Sequence, residues 1–403
     1  MEEVLRINQN GFRKNRSTIG QILTVRRLIE GVQAKNLEAA ILFVDFTKAF
    51  DSVHRGKMSR ILRAYGIPEE TVTAIMILYQ NTKAMVRSPD GDTEFFDIEA
   101  GVLQGDTLAP FLFIICLDYI MRTTVDTQKE LGFTLAHSRS SRYPTIKITD
   151  ADYADDIALF ADKIEEAETL LHGLEEVSAE IGLYVNAKKT EYMCFNQEGS
   201  MKARDGTTLK QVEEFTYLGS NIASTEKDVN IGIGKAWSAL DAMKILWKSD
   251  LPEHLKREFF KATVETILLY GSTAWTLTSS LESKLDGTYT RMLRAVLDIS
   301  WEQHPTRKRL YGKLPTISST IREQRTQYAG HCWRSKGELV SDLLLWTPKH
   351  GHTRVGRPCR TYIEQLLQDT GWKVEELKSV KAAMEDRDVW RQKVTLVRAT
   401  SPT

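Results

Sequence analysis

The stretch ITDADYADDIALFAD, residues 148–162, sets two adjacent carboxylates, Asp155 and Asp156, between apolar runs. β-Branched and aromatic residues on both sides of a tight acidic tip predict a β-hairpin whose turn carries the carboxylates. Like charges side by side are costly unless something positive lies between them, and a divalent cation often fills that place. The alternative is a solvated surface turn, where Asp is common. For an isolated Asp-Asp pair that alternative is favoured.

A second acidic strand end upstream changes the balance. The stretch ILFVDFTKAFDSV, residues 41–53, opens with a continuous apolar run that predicts a strand buried on both faces, and Asp45 ends the run. A carboxylate where a buried strand emerges is typical of an active site, because the strand fixes its position. Asp45, Asp155 and Asp156 are therefore predicted to hold two hard cations. Such a pair, about 3.5–4 Å apart, clamps the attacking and leaving oxygens of a phosphoryl transfer.

Several stretches occur in an order that resembles a known family. They are QNGFRKNRSTIGQ (9–21), Asp45 with Phe50 five residues on, GVLQGDTLAP (101–110), YADD (153–156), GLYVNAKKT (182–190) and FTYLGS (215–220). The set resembles the palm of reverse transcriptases from non-LTR, LINE-type retrotransposons, preceded by a fingers motif. Later stretches resemble the thumb and C-terminal part of RTE-like elements: AWSAL (236–240), LLYGSTAWTL (268–277), YAGHCWR (328–334) and GRPCRTYIEQL (356–366). The resemblance covers nearly the whole chain.

The resemblance implies an α+β fold with a right-hand polymerase palm, which is a small antiparallel sheet with packed helices. The expected limits are 1–40 for partial fingers, 41–225 for the palm, 226–300 for a helical thumb-like region and 301–403 for a basic C-terminal region. The implied activity is that of an RNA-directed DNA polymerase, which adds dNTPs to a primer 3′-OH on an RNA template. The implied cofactors are two Mg²⁺ ions, or Mn²⁺ in their place, and the implied partners are an RNA template, a DNA primer and dNTPs.

Residue roles follow from matching motif to motif. Asp45, Asp155 and Asp156 match the metal ligands, and Lys189 matches a lysine proposed to protonate the leaving pyrophosphate. The residues that match nucleotide-binding positions are Arg13, Arg16, Phe46, Phe50, Gln104 and Gly105. Within that set Phe50 matches the steric gate that excludes a 2′-OH, and the two arginines would clamp the triphosphate. The primer grip is matched by Tyr217, Leu218 and Gly219.

Most of these roles have a structural alternative. A core Phe would look the same as Phe50, and the Gln104–Gly105 pair also suits a plain strand-to-helix turn. Lys188 beside Lys189 allows the assignment to shift by one residue. The arginines also suit a generic basic amino terminus, and the aromatics of the primer-grip stretch also suit a core.

The stretch 101–110 departs from the family pattern. Leu103 stands where Pro or Arg is usual, Thr107 where Pro is usual, and Ala109 where Ser is common. These departures bear on the fine positioning of substrate rather than on the fold.

Two other functions fit parts of the pattern. A non-catalytic nucleic-acid-binding remnant would keep the palm as a scaffold. A two-metal nuclease would explain the acids but neither Phe50 nor the primer-grip hairpin. Elements of this class usually carry an endonuclease before the polymerase, and the resemblance begins at the second fingers motif. We therefore expect an amino-terminally truncated piece of a larger polyprotein or of a decayed element.

Charge is unevenly distributed along a chain whose formal net charge is zero. Residues 1–250 hold 29 basic and 37 acidic side chains, and residues 251–403 hold 25 and 17. The excess is concentrated in 301–360, where 12 basic residues face 4 acidic ones. A basic face of this kind gathers phosphate backbone without reading sequence, and solvated helix faces are the alternative.

Cysteine usage and hydropathy point to an intracellular protein. Four Cys in 403 residues make no disulfide framework, and no stretch has the length or pattern of a membrane span or signal peptide. We expect a protein that acts in the nucleus at the site of integration. A zinc site would need ligand pairs such as Cys-x-x-Cys. Those are absent around the C-terminal cysteines and histidines, where structural Cys and solvated His are expected: His331, Cys332, His350, His352 and Cys359.

Several element boundaries can also be read from the sequence. A helix is predicted after Ser17, another opening at Pro110, and a third capped by Asp162 with Glu165 in the capping-box position. Beyond residue 226 the pattern is helical, with one helix starting at Pro252 and ending at Gly271.

Overall fold

The computed structural model describes residues 4–128, 130–300, 302–354 and 360–399. The chain divides into two compact units, which are described separately. Within the described residues the first contains 4–21, 35–213 and 348–353, and the second contains the rest. The predicted limits of fingers, palm and thumb stay predictions.

The first unit is built around a five-stranded sheet. The strands of the whole unit, in chain order, are β1 (Ala39–Val44), β2 (Lys83–Ala84), β3 (Arg87–Ser88), β4 (Gly91–Asp92), β5 (Phe96–Asp97), β6 (Phe133–Ala136), β7 (Ile146–Ile148), β8 (Asp150–Tyr153), β9 (Asp156–Ala161), β10 (Glu191–Phe195) and β11 (Lys210–Gln211). The main sheet has the order β11–β10–β1–β9–β8 and is antiparallel except between β10 and β11. The pairs β2–β5, β3–β4 and β6–β7 form small separate ribbons.

Strand β1 lies at the centre of this sheet. All six of its side chains are buried, which confirms the prediction of a strand covered on both faces. A continuous apolar run is what such a strand requires, because neither face meets water. The sheet therefore holds the end of β1, and the residue that follows it, in a fixed place.

Helices cover the sheet and complete the α+β arrangement that the sequence predicts. In the first unit they are α2 (Ala49–Ser52), α3 (Arg55–Ala64), α4 (Glu69–Leu78), α5 (Ala109–Thr124) and α6 (Ile164–Glu180). Helix α1 (Thr18–Ala34) begins in this unit and belongs to the second unit from Ile22 onward. Pro110 lies in the first turn of α5, as predicted. Leu117 of α5 and Leu171 of α6 are fully buried in one core with Leu42 and Leu159 of the sheet.

The predicted cap of α6 is wrong. The N-cap position is Lys163, and no side chain caps the helix. The carboxylate of Asp162 instead accepts hydrogen bonds from the backbone N and Oγ1 of Thr134, at 2.8 and 2.6 Å. Asp162 therefore ties β6 to the end of β9, and a tertiary contact has replaced the local one.

The second unit is mostly helical. It contains one two-stranded ribbon, β12 (Thr216–Tyr217) and β13 (Ser220–Asn221). Its helices beyond α1 are α7 (Thr225–Ala242), α8 (Lys244–Trp247), α9 (Glu253–Phe260), α10 (Thr266–Leu268), α11 (Ser279–Val296), α12 (Arg307–Tyr311), α13 (Ile317–Arg334), α14 (Leu339–Leu344), α15 (Tyr362–Thr370), α16 (Leu377–Glu385) and α17 (Arg387–Ala399). Short 3₁₀ turns cover Ser272–Ala274 and Val374–Glu376. Its core includes the fully buried Trp275, Phe260 and Met292.

One helical run of this unit has the predicted ends. Pro252 is the N-cap of α9, and Gly271 has the left-handed φ of 75° just beyond α10. Between α9 and α10 the chain forms a π-helical turn, Lys261–Glu265. Within the described stretches no helix is both long and apolar enough to cross a membrane.

Candidate active site

Asp45 stands where β1 leaves the sheet. Its Oδ2 atom is buried and has no hydrogen-bond partner. A buried carboxylate oxygen with nothing to accept from is costly. The position is thus rigid, acidic and incompletely satisfied.

Asp155 and Asp156 lie at the predicted hairpin between β8 and β9. Tyr153 pairs with Asp156, so Ala154 and Asp155 form a two-residue turn. Ala154 has a φ of 54°, the left-handed conformation that tight hairpin turns require. The prediction of a hairpin with carboxylates at its tip is confirmed.

The sheet register brings the three acids together. Val44 pairs with Ile157 across β1 and β9. Because these strands are antiparallel, Asp45, which follows Val44, lies next to Asp156, which precedes Ile157. Two segments that are more than a hundred residues apart thus converge at one edge of the sheet.

Electrostatics at this edge show a shortage of positive charge. Desolvation, with added repulsion from Asp155 and Asp45, raises the pKa of Asp156 to about 6. Desolvation and the Asp45 charge also raise the pKa of Asp155. Together with the unpartnered oxygen of Asp45, this fits a site for a hard divalent cation. In the described parts of the chain no three His, Cys, Asp or Glu side chains form a ready-made metal-binding group.

The stretch 182–190 supports Asp45 from one side. The backbone N of Asn186 donates to the carbonyl of Asp45 at 2.7 Å, and the backbone N of Asp45 donates to Thr190 Oγ1 at 3.2 Å. Lys189 directly precedes Thr190 and is exposed, as is Lys188. The predicted lysine thus lies in the same stretch that bonds the Asp45 backbone.

Phe50 is half-buried in α2, five residues beyond Asp45. Its ring stacks on Phe113, with centroids 4.4 Å apart, and meets Phe12 edge-on at 6.2 Å. Phe46, in contrast, is buried in the core of the unit. The role of Phe46 towards a nucleotide stays a prediction.

The stretch 101–105 packs against α2. The backbone N of Val102 donates to the Phe50 carbonyl at 2.8 Å, and Gln104 Nε2 donates to Asp51 Oδ1 at 3.4 Å. Gly101 has a φ of 82°, and a Cβ there would lie 2.6 Å from the Asp51 backbone. Gly105 has a φ of 88° with open space around it. Both Gln104 and Gly105 are exposed.

The two predicted arginines fold their own segment. Arg13 Nη1 donates to the carbonyls of Arg6 and Gln9, at 2.6 and 3.0 Å. Arg16 Nη1 donates to Asn10 Oδ1 at 3.2 Å. Both side chains are partly exposed, and their role towards a triphosphate stays a prediction.

The predicted primer-grip residues form the β12–β13 hairpin of the second unit. Leu218 and Gly219 occupy its turn with φ values of 48° and 80°, and Tyr217 is buried. The Leu218 carbonyl accepts a hydrogen bond from Tyr270 at 2.7 Å. The buried carboxylate of Asp228 accepts from Ser220 Oγ and Asn221 N and so anchors the far strand of this hairpin.

Sequence reasoning did not predict that residues 6–11 pack behind the acidic turn at Asp155 and Asp156. Arg6 is buried and donates to Asp150 (2.8 and 2.9 Å) and to Asp152 (3.2 Å), both of which have no exposed surface. Gln9 contacts the turn itself. Acids at alternate positions of a strand, Asp150 and Asp152, were the available signal, because they place two carboxylates on one face.

The C-terminal cysteines and histidines differ in burial and in contacts. Cys332 is buried, while His331 and His352 are exposed. His350 contacts the ring of His137, with centroids 4.5 Å apart. Cys359 lies outside the described residues.

Sequence comparison relates this chain to known proteins. Residues 1–222 match the family Reverse transcriptase (RNA-dependent DNA polymerase). A transposon-derived protein of Caenorhabditis elegans is 25% identical over 237 residues, which are 55% of this chain and 85% of that protein. The Pol polyprotein of the Drosophila melanogaster retrotransposable element R2DM is 27% identical over 194 residues, 45% of this chain and 17% of the polyprotein.

A third relative extends the similarity into the second unit. It is an RNA-directed DNA polymerase ascribed to transposon BS of Drosophila melanogaster, 24% identical over 378 residues, or 88% of this chain and 39% of that protein. The chain thus spans less than half of the length of both Drosophila relatives. Divalent metal use and a nucleic acid template are general features of the family. The chain belongs to the reverse transcriptase family, and within it to the reverse transcriptases of non-LTR retrotransposons.

Proposed function

We propose that this chain is an RNA-directed DNA polymerase that extends a primer 3′-OH with dNTPs on an RNA template. The observation that carries the proposal is the convergence of Asp45, Asp155 and Asp156 at one sheet edge, where a carboxylate oxygen is buried without a partner. Such an edge favours a divalent cation over any neutral ligand. We further propose that two Mg²⁺ ions, or Mn²⁺, are held there, and that the protein works in the nucleus at the site of integration.

The residues of the chain would divide the work by position. Asp45 and Asp155 would hold the metal ions, with Asp156 as the second member of the pair. Mg²⁺ bound there would neutralise charge on the attacking and leaving oxygens. Because the described residues form no complete cage, phosphates and water would supply the remaining ligands, which is how Mg²⁺ is ordinarily bound.

The remaining predicted residues would bind the nucleotide and the primer. Phe50 would press against the sugar of the incoming nucleotide, and the exposed Gln104 and Gly105 would approach its base. Lys189 would deliver a proton to the leaving pyrophosphate as its charge develops. Arg13 and Arg16 would bind the triphosphate, since a guanidinium suits bidentate phosphate contacts. Tyr217, Leu218 and Gly219 would hold the primer end.

Primer extension on an RNA template tests the proposal. We expect the wild-type chain to add dNTPs and Asp155→Asn to lose the activity by about 1000-fold, because a missing ligand forfeits several kcal/mol of charge stabilisation. Asp90→Asn, which removes an exposed carboxylate beyond β3, is the matched control and should extend normally. Template binding without extension by the wild type would indicate a non-catalytic remnant. Degradation of the nucleic acid without extension would indicate a nuclease.

A further inference from the structure

We propose that Gln9 is a positioning residue for the catalytic turn: its side-chain amide fixes the Ala154 peptide groups and thereby sets where Asp155 points. The inference rests on the proposed function, since it assigns a support to that metal site. Gln9 lies outside the set of predicted metal and nucleotide contacts, and its amide is neutral.

The Gln9 side chain bonds both polar groups of one turn residue. Its Oε1 accepts from the backbone N of Ala154 at 2.8 Å, and its Nε2 donates to the Ala154 carbonyl at 3.3 Å. The same Oε1 also accepts from the backbone N of Gly11 at 2.7 Å. Gln9 is only 2% exposed, so these bonds are shielded from water. Ala154 immediately precedes Asp155, so fixing its two polar groups limits rotation of the Asp155 backbone.

The turn has a reason to need this support. Ala154 adopts a φ of 54°, which is unfavourable for a residue with a Cβ, and a two-residue turn has no slack. The neighbouring carboxylates repel one another before any cation is bound. Strained backbone of this kind persists only where the surrounding structure holds it in place. The two hydrogen bonds from Gln9 to Ala154 form such a clamp on the turn.

Gly11 allows the segment to come close enough. A Cβ at Gly11 would lie 2.3 Å from the Ala154 backbone N and 2.8 Å from its Cα. No side chain fits in that space, so the approach of the two backbones depends on glycine. The clamp is therefore built from two residues of the same segment, one that bonds the turn and one that leaves room for it.

The segment is itself held against β8 like an additional strand. The backbone N of Asn10 donates to the Asp152 carbonyl at 2.8 Å, and the backbone N of Asp152 donates to the Asn8 carbonyl at 3.2 Å. In addition, Gln21 Nε2 donates to the carbonyls of Asp152 (2.8 Å) and Asn8 (3.0 Å). Gln21 supports the same two strands but does not touch the turn, which makes it a matched comparison for Gln9.

Manganese binding by the full chain tests the proposal without requiring catalysis. The free Mn²⁺ signal in electron paramagnetic resonance would be titrated with wild type, Asp155→Asn, Gln9→Met and Gln21→Met. Methionine keeps the volume of glutamine and removes its hydrogen bonds, so both Met variants lose buried bonds in the same region. We expect Gln9→Met to weaken Mn²⁺ binding about tenfold and Gln21→Met to leave it within twofold, because about 1.4 kcal/mol of lost positioning corresponds to a factor of ten.

The kinetics should separate positioning from folding. In primer extension, Gln9→Met should lower kcat and raise the Mg²⁺ concentration required, while KM for dNTP stays within twofold. If Gln9→Met does not fold, Gln9→Asn replaces it, because the shorter side chain keeps the amide but withdraws it from the Ala154 backbone, and the same weakening is expected. Equal Mn²⁺ binding by Gln9→Met and wild type, or equal weakening by both Met variants, would overturn the inference alone. Wild-type Mn²⁺ binding that is unaffected by Asp155→Asn would overturn the metal site and this inference together.

Discussion

At the scale of single residues, Phe50 offers a test of nucleotide selection. Its half-buried ring is held by stacking on Phe113 and lies a few residues beyond Asp45. Shortening it to Ala should admit a 2′-OH, so the ratio of kcat/KM for rNTP over dNTP should rise roughly 100-fold, within the range that a reshaped apolar pocket can give. Single-nucleotide incorporation of dCTP against CTP measures this ratio.

The control for that substitution keeps the ring. Phe50→Tyr retains bulk and stacking and should leave the ratio within about threefold of wild type. If Phe50→Ala slows both nucleotides equally and lowers the melting temperature, Phe50 acts as a core residue and the gate must lie elsewhere.

Residue identity was enough to predict the acids but not what holds them. Asp45, Asp155 and Asp156 stand out because a charge that interrupts an apolar run must be explained by a partner or a function. Gln9 gives no such signal, since a neutral amide in a polar segment suits any exposed loop. Its role appears only when the segment is seen to pack on β8, which is a contact across 145 positions of sequence.

At the scale of secondary structure, the regular patterns and the helix ends at Pro252 and Gly271 are predicted correctly, whereas the side-chain cap at Asp162 is not. β1 and the β8–β9 hairpin followed from apolar runs and a tight acidic turn. The predicted cap of α6 is wrong because the Asp162 carboxylate accepts hydrogen bonds from Thr134 instead. Side-chain caps and tertiary hydrogen bonds compete for the same oxygen atoms, and sequence shows only the first of the two.

The π-helical turn Lys261–Glu265 carries a prediction about pH. Glu265 is 4% exposed and accepts a hydrogen bond from Tyr289 at 2.6 Å, and burial raises its pKa above the ordinary value of 4.5. Because the folded pKa is raised, ionised Glu265 destabilises the fold. This penalty is complete above the folded pKa and vanishes below 4.5. Glu265→Gln carries no such penalty and still accepts from Tyr289.

The melting temperature of Glu265→Gln minus that of wild type should therefore increase as pH rises from 4.5 to 8. Differential scanning fluorimetry at several pH values measures it. Glu258→Gln, an exposed substitution in α9, is the control and should show a flat difference. A difference that stays flat for Glu265→Gln as well would mean that Glu265 titrates like a solvated carboxylate.

At the scale of the whole molecule, composition predicted the imbalance of charge but not how the chain divides into units. The sequence shows no long Gly/Ser linker, and one helix, α1, contributes residues to both units. Residues 22–34 therefore pack with segments that are 202 to 332 residues away in sequence. Arg26, for example, donates to Asp228 at 2.8 Å. No local sequence pattern could reveal that one helix is divided between two units.

The basic excess of 301–360 belongs largely to the second unit and predicts how nucleic acid binding depends on salt. Lys308 and Lys313 are exposed there. If each contacts a phosphate, replacing both with Gln should reduce the slope of log Kd against log salt by about 1.4, because each contact on a single strand contributes roughly 0.7 through counterion release. Fluorescence anisotropy with a labelled single-stranded RNA gives the slope, with KCl varied over roughly 50 to 300 mM, a range in which affinity changes by orders of magnitude.

A matched double substitution in the acidic part of the chain distinguishes phosphate contact from a general change of net charge. Lys163→Gln with Lys202→Gln also removes two positive charges, but from exposed positions of the first unit. Net charge acts over the whole surface and would shift affinity similarly for both pairs, whereas direct contact acts only where phosphates lie. A slope reduced by Lys308→Gln with Lys313→Gln alone therefore assigns the RNA track to that basic segment. Equal slopes for the two pairs would mean that these lysines are solvated surface charges.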